Sequence, residues 1–486
     1  MKIPASRLLI AAGIAGVAGD LLLRGGNQWR IGLALWITGL VASVLLLDRT
    51  GSRERNLMLA GLVAAALGLA VRDAPMLYAI DFLSLLCMGV LIIWHGSGRV
   101  LADLSLVETV RAGLLAAVNT LGGAIGALSR NAAERTKNGA DTGRTRALLI
   151  GAVLAVPPLA VVTVLLVASD KVFEGQLQRV ANLNSVGHLF VTVLVAWFAA
   201  GWLRAATGDA IGASVPAPTS PALRVATIAV PLYSLVTLLT LFLITQARVL
   251  FGGADFLRQT EGLTVATYAR DGFAQLIVAA GVVLATLVVA EWLLGDDDLG
   301  ARRHYRIVGA ILLGMVTTLL VSAAARIGIY VQMFGHSVDR LFASAAIVWV
   351  LAALITCAMT TLRTRPARFT SATVGVTIAW VVLMNLLNPE ALVVRLNVAR
   401  AVAGASFDAK YHAELSADAA PTLVSLAGRL PSAECQAVQT ELERTWNARR
   451  MPSVTPLHDW RGLSIPLVRL ERWFAAGAPV PCDGQR

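Results

Sequence analysis

LFASAAIVWVLAALITCAMTTL, residues 341–362, contains no charged side chain. A helix rises about 1.5 Å per residue and the hydrocarbon layer of a bilayer is about 30 Å thick, so about 20 apolar residues cross it. The preceding block, RIVGAILLGMVTTLLVSAAARIGIYVQ (306–332), repeats the pattern with one interior charge, Arg326. Working outward in both directions gives eleven such blocks: 8–23, 31–47, 56–71, 75–95, 147–169, 187–206, 225–247, 272–294, 306–332, 341–362 and 370–388. The composition agrees, at 57% hydrophobic and 15% charged, where a soluble domain carries about 25% charged residues. The fold class is therefore all-α: a polytopic helical membrane bundle of about 11 transmembrane helices.

Four regions follow. Residues 1–96 hold four spans, 97–146 form a polar segment, 147–388 hold seven spans, and 389–486 form a more polar, mainly helical tail. In the polar segment Val107, Val110, Leu114, Val118, Leu121, Ile125 and Leu128 recur at helical spacing, while Asp103, Glu108, Arg111 and Asn119 interrupt the run. That pattern suits a helix along the membrane interface or packed on the bundle rather than a span. The first apolar block follows Lys2 and Arg7 as a leader peptide would, but Leu21–Leu23 carry it past any cleavage point, so it reads as a retained helix.

The net charge of +11 is explained by topology. No basic strip interleaved with aromatics and no nucleic-acid motif occurs, so nucleic acid is not an expected partner. Arg and Lys are enriched in cytoplasmic loops, and most of those in short loops fall on the side shared with the N-terminus. The expected location is the bacterial cytoplasmic (inner) membrane, with the N-terminus cytoplasmic and the C-terminus extracytoplasmic. Cys435 and Cys482 then lie in an oxidising compartment, where a disulfide between them is expected. Cys87 and Cys357 sit inside apolar helices and read as inert core residues.

Chemistry-bearing residues gather at the predicted outer helix ends: Asp170, Gln246, Tyr268, Arg270, Arg326, Tyr330, Glu390 and Arg395. Arginines there would favour an anion or lipid headgroup, because guanidinium makes bidentate charge-assisted bonds. Helix-end pairing, Arg395 with Glu390 for example, is the structural alternative. Asp81, an acid within the fourth block, is a second candidate, since a buried charge in a membrane usually has a partner or a purpose. Asp20 sits nearer its helix end, where it can reach water.

The strings at these ends resemble those of a bacterial membrane family, domain of unknown function 4173, and the related domain of unknown function 4153. The resemblance rests on Ser169–Phe173, Leu250–Gly253, Tyr268–Phe273, Arg326–Val331, Asn388–Arg400, and Tyr411 with Leu415–Leu423. It covers about 147–430 and leaves out the first four spans. Ala168-Ser169 stands where the family has Ser-Ala, and Val394 where a small residue is common. The resemblance implies a membrane protein without an established activity.

Phosphate-loop, zinc-protease and nucleophile-elbow motifs are absent, and the six histidines show no ligand spacing, so no cofactor and no metal site is expected. Expected partners are the lipid bilayer, an anionic lipid or small ligand, and a protein partner. The leading functions are ligand binding at the outer face and a sensory or scaffold role. A transporter or channel would need more polar residues at mid-membrane, and an enzyme would need a nucleophile–base pair.

Overall fold

The computed structural model describes residues 3–23, 30–101, 106–137, 183–210, 228–244, 273–294, 299–363, 368–450, 464–475 and 482. Among these residues every regular element is helical, and nine helices are long and apolar enough to cross a membrane. Large apolar side chains stand outward along them, Leu46 at 72% and Leu386 at 74% exposure. Such a surface is costly in water and is satisfied by lipid. The chain is an integral membrane protein with an all-α helical bundle.

The helices are α1 (Ala5–Leu23), α2 (Arg30–Leu47), α3 (Arg53–Val71), α4 (Pro75–Gly96), α5 (Leu106–Lys137) and α6 (Leu183–Ala206). They continue with α7 (Ile228–Ile244), α8 (Phe273–Leu294), α9 (Leu299–Phe334), α10 (Val338–Thr360), α11 (Phe369–Leu387) and α12 (Pro389–Val402). The chain ends with α13 (Ala409–Glu414), α14 (Ala420–Ala427), α15 (Ser432–Arg450) and α16 (Ile465–Ala475). The expected span at 147–169 lies outside the described residues.

Two compact units form, one from 1–100, 110–215 and 452–468, the other from 101–109, 216–451 and 469–486. In the first unit, α1 packs against α6 through glycines. A Cβ on Gly16 would fall 2.5 Å from the Thr192 carbonyl oxygen, and one on Gly19 would fall 2.4 Å from Val195. Small residues permit this backbone approach, from which membrane helices gain van der Waals contact. Trp36 Nε1 locks α2 to α1 by donating to the Ala15 carbonyl at 2.9 Å.

Helix α5 differs from its expected character in one respect: its stretch Arg111–Leu128 is long and apolar enough to span. Its described contacts run mostly along one neighbour, α6. Ala116 clusters with Ile93 and Ala205, and Trp197 Nε1 donates to the Leu121 carbonyl at 2.7 Å. Gly123 abuts Gly201, and Arg130 bonds Asp209 at 2.5 Å and the Ile3 carbonyl at 3.2 Å. These partners belong to the end of α4, the second half of α6 with the residue Asp209 after it, and the start of α1. Helix α5 therefore runs alongside the second half of α6.

Asp20 and Cys87 depart from expectation. Asp20 is buried rather than reaching water, and its Oδ2 lies 2.6 Å from His188 Nδ1. Asp81 is fully buried in α4. Cys357 is buried, but Cys87 is exposed on α4 and is not a core residue.

In the second unit α7–α11 share one apolar core centred on Leu287, Leu312, Leu320 and Leu354. Tyr305 donates to the Leu287 carbonyl at 2.8 Å, and Trp380 Nε1 to the Ala345 carbonyl at 3.1 Å. Helices α12–α15 form a smaller core of Val394, Val398, Ala413, Leu423, Cys435 and Val438. Asn388 divides α11 from α12. It adopts φ 49°, accepts a bond from the Ala391 amide at 3.2 Å, and is followed by Pro389 at the first helical position. Asn tolerates the left-handed region and Pro is suited to a helix start, so this dipeptide stops one helix and begins the next.

Candidate functional site

Helix α9 stops at Gly335, which takes φ 79°, the conformation that favours glycine after a helix. A Cβ there would fall 2.9 Å from Asn397 Oδ1, so the missing side chain also admits α12 to the α9–α10 turn. Asn397 uses that opening fully. Its Oδ1 accepts from the His336 amide at 2.8 Å. Its Nδ2 donates to the His336 carbonyl at 2.7 Å and to His412 Nε2 at 2.9 Å.

His412 is buried at the centre of this network. Its Nδ1 donates to the Asp408 carbonyl at 2.6 Å, which leaves Nε2 as the acceptor for Asn397 and requires the neutral ring. Phe407 stacks on it with centroids 4.3 Å apart. Burial pushes its pKa down, with Asp408 opposing in part. Tyr411 accepts from the Val338 amide at 2.9 Å, tying α13 to the start of α10.

The network walls a polar cavity of about 380 Å³. Arg340 and Arg400 line it with His336, Asp408 and Tyr411. Arg340 donates to the Gly335 carbonyl and lies over the Tyr330 ring, 4.0 Å from its centroid. Arg400 donates to the Gln332 carbonyl at 3.1 Å. Among the described residues neither arginine has a carboxylate within ion-pair distance. Burial first, then Arg400 and Arg340, lowers the pKa of His336. An anion would relieve the arginine field.

The fold disfavours protonation of both histidines, while the unfolded imidazole titrates near pH 6.5. Below that pH the unfolded chain binds more protons than the folded one, so stability falls as pH drops. The melting temperature in detergent should be flat above about pH 7.5 and decline toward pH 5. His412→Gln should flatten the decline. An unchanged slope in the variant would remove His412 from the account.

The residues expected from sequence are dispersed differently. Tyr330 touches the cavity through Arg340 and packs edge-on against Phe334 at 4.9 Å. Arg326 and Arg395 do not line it; Arg395 is exposed on α12. Glu390 is buried, and its Oε2 accepts from the Ser416 amide at 2.8 Å and the Ser416 hydroxyl at 2.6 Å. Asn388 Nδ2 donates to the Asp418 carbonyl at 3.2 Å. The Asn-Pro-Glu and Leu-Ser-Ala-Asp strings thus latch together. Asp170, Gln246, Tyr268 and Arg270 lie outside the described residues. Arg340, Arg400, His336 and His412 were not singled out; Arg400, inside the quoted Asn388–Arg400 string, was the available signal. Among the described residues no group of three His, Cys, Asp or Glu could hold a metal ion.

Residues 57–426 match the family described as Domain of unknown function (DUF4153). The chain belongs to this family. Of the two families its strings resemble, the match is thus to the related one, and it begins within α3, so DUF4153 takes in α3 and α4, which the resemblance left out. No curated protein and no solved structure matches the chain. The cavity residues and the Asn388–Asp418 latch all fall inside the DUF4153 match, whereas Cys435 and Cys482 follow it. Those two cysteines are joined in the structure, with Cα atoms 5.6 Å apart.

Proposed function

We propose that this DUF4153 protein binds a small phosphate- or carboxylate-bearing anion in the cavity between α9, α10, α12 and α13, serving as a receptor or assembly scaffold of the bacterial cytoplasmic membrane. The observation that supports this is the pair Arg340 and Arg400 facing one polar cavity without carboxylate partners among the described residues. Asn397 and His412 hold the walls without adding charge. A carboxylate or phosphate fits the guanidinium fork with paired, charge-assisted bonds. Nothing in the cavity supplies a nucleophile activated by a base, so binding rather than turnover is the reading.

Inorganic phosphate titrated into the protein in detergent should raise its melting temperature saturably. Arg400→Ala removes a bond to a charged group worth about 1.5–3 kcal/mol and should raise the dissociation constant about tenfold to a hundredfold. Absence of stabilisation by phosphate and by a dicarboxylate, or an Arg400→Ala curve matching the wild type, would refute the site. The orientation belongs to the same proposal, with the N-terminus inside and the tail outside. A reporter active only in the cytoplasm should stay silent when fused after Arg486, and activity there would reverse the orientation.

A further inference from the structure

A second cavity, of about 680 Å³, opens in the first unit where α1 begins and α2 and α6 end. Arg7, Arg49, Thr50, Arg130 and two acids, Asp48 and Asp209, line it. The acids are already occupied. Asp48 pairs with Arg55, and Asp209 takes both Arg130 at 2.5 Å and Arg204 at 2.8 Å. Arg7 and Arg49 are exposed and, among the described residues, their guanidinium groups have no hydrogen-bond or ion-pair partner. The mouth is therefore net positive.

An apolar groove of about 310 Å³ lies in the same unit, between α2, α3, α4, α5 and α6. Leu33, Trp36 and Leu40 of α2 line it, together with Leu86, Thr120 and Trp202. The indole N–H groups point away to backbone carbonyls, Trp36 to Ala15 at 2.9 Å and Trp202 to Gly89 at 3.4 Å. Only the ring faces are left for a ligand. Leu40 lines the groove and Leu47, seven residues on, lines the positive cavity. Residues seven apart share a helix face and differ in height by about 10 Å. Helix α5 likewise offers Thr120 to the groove and Arg130 to the cavity. The groove and the cavity share no lining residue, but along α2 and α5 the apolar lining precedes the cationic one, the polarity sequence of a phospholipid.

We infer that the first unit holds an anionic phospholipid, its phosphate at Arg7 and Arg49 and an acyl chain along Trp36, Leu40 and Trp202. A soluble phosphate would use the arginines and leave the groove unused. A zwitterionic lipid would fill the groove but present its own cation to the arginines.

Native mass spectrometry of the full chain in detergent, with phosphatidylglycerol or phosphatidylcholine added at equal concentration, tests this. Wild type should retain phosphatidylglycerol at least tenfold more than phosphatidylcholine. The exposed double change Arg7→Gln/Arg49→Gln should bring the two to parity. Leu86→Trp, which narrows the groove from its exposed side, should weaken retention of both. Equal retention of the two lipids by wild type overturns the proposal without recourse to any variant. So does an unchanged preference in the double variant, or full displacement of phosphatidylglycerol by millimolar inorganic phosphate, which would mark a simple anion site. None of these outcomes depends on the Arg340–Arg400 cavity, whose phosphate test reads a separate substitution.

Discussion

Asn397→Leu should cost the tail about 4 kcal/mol, the largest effect expected of any single side chain in the cavity wall. Asn397 is 8% exposed and makes three bonds, two to the His336 backbone and one to His412 Nε2. Leu has nearly the same shape, so the loss is chemical rather than steric. It strands the His336 amide, the His336 carbonyl and His412 Nε2. Each stranded buried group costs about 1–3 kcal/mol, partly recovered by relaxation and water. Limited proteolysis in detergent should cut the tail far sooner in the variant, and phosphate affinity should fall with it, because Arg400 lies one turn along α12. Wild-type protease resistance in Asn397→Leu would mean that the α9–α10 turn holds itself without α12.

Cys435→Ser should weaken the tail by a similar amount. The bond closes a loop of 47 residues, and chain entropy assigns such a loop about 4 kcal/mol. Cys435 is fully buried among Val394, Leu423 and Val438, so the bond ties Cys482 to the small core. Reductant should lower the melting temperature of wild type to that of the variant and leave the variant unmoved. Free-thiol titration should find two thiols before reduction and four after it. Four thiols in the untreated protein would show that the cysteines are not joined in the cell and would count against an outer location for the tail.

These effects mark what could be read from the sequence and what could not. Spans were legible because a charge-free run such as 341–362 has few homes other than a bilayer. Asn388-Pro389 was legible as a break. Its function as a latch was not, because Ser416 and Asp418 lie about 30 residues away and nothing local names them. Glu390 shows the same limit. A carboxylate in the first turn of a helix looks alike whether it faces solvent or, as here, is buried against Ser416. The Asp20–His188 pair joins residues 168 apart. The cavity was half legible: Arg400 and Asn397 stood in the recognised string, but His336 and His412 looked scattered until Asn397 brought them together. Amphipathic spacing in 101–128 gave a helix, and only its contacts with Trp197, Gly201 and Asp209 show that it packs alongside α6.

A map of the full chain, purified in native lipid and imaged with inorganic phosphate present, tests the anion site most directly. Non-protein density is expected in the cavity within hydrogen-bond reach of both Arg340 and Arg400, with Asn397 still bridging His336 and His412. A cavity without density, its two arginines turned onto carboxylates of the chain, would contradict it.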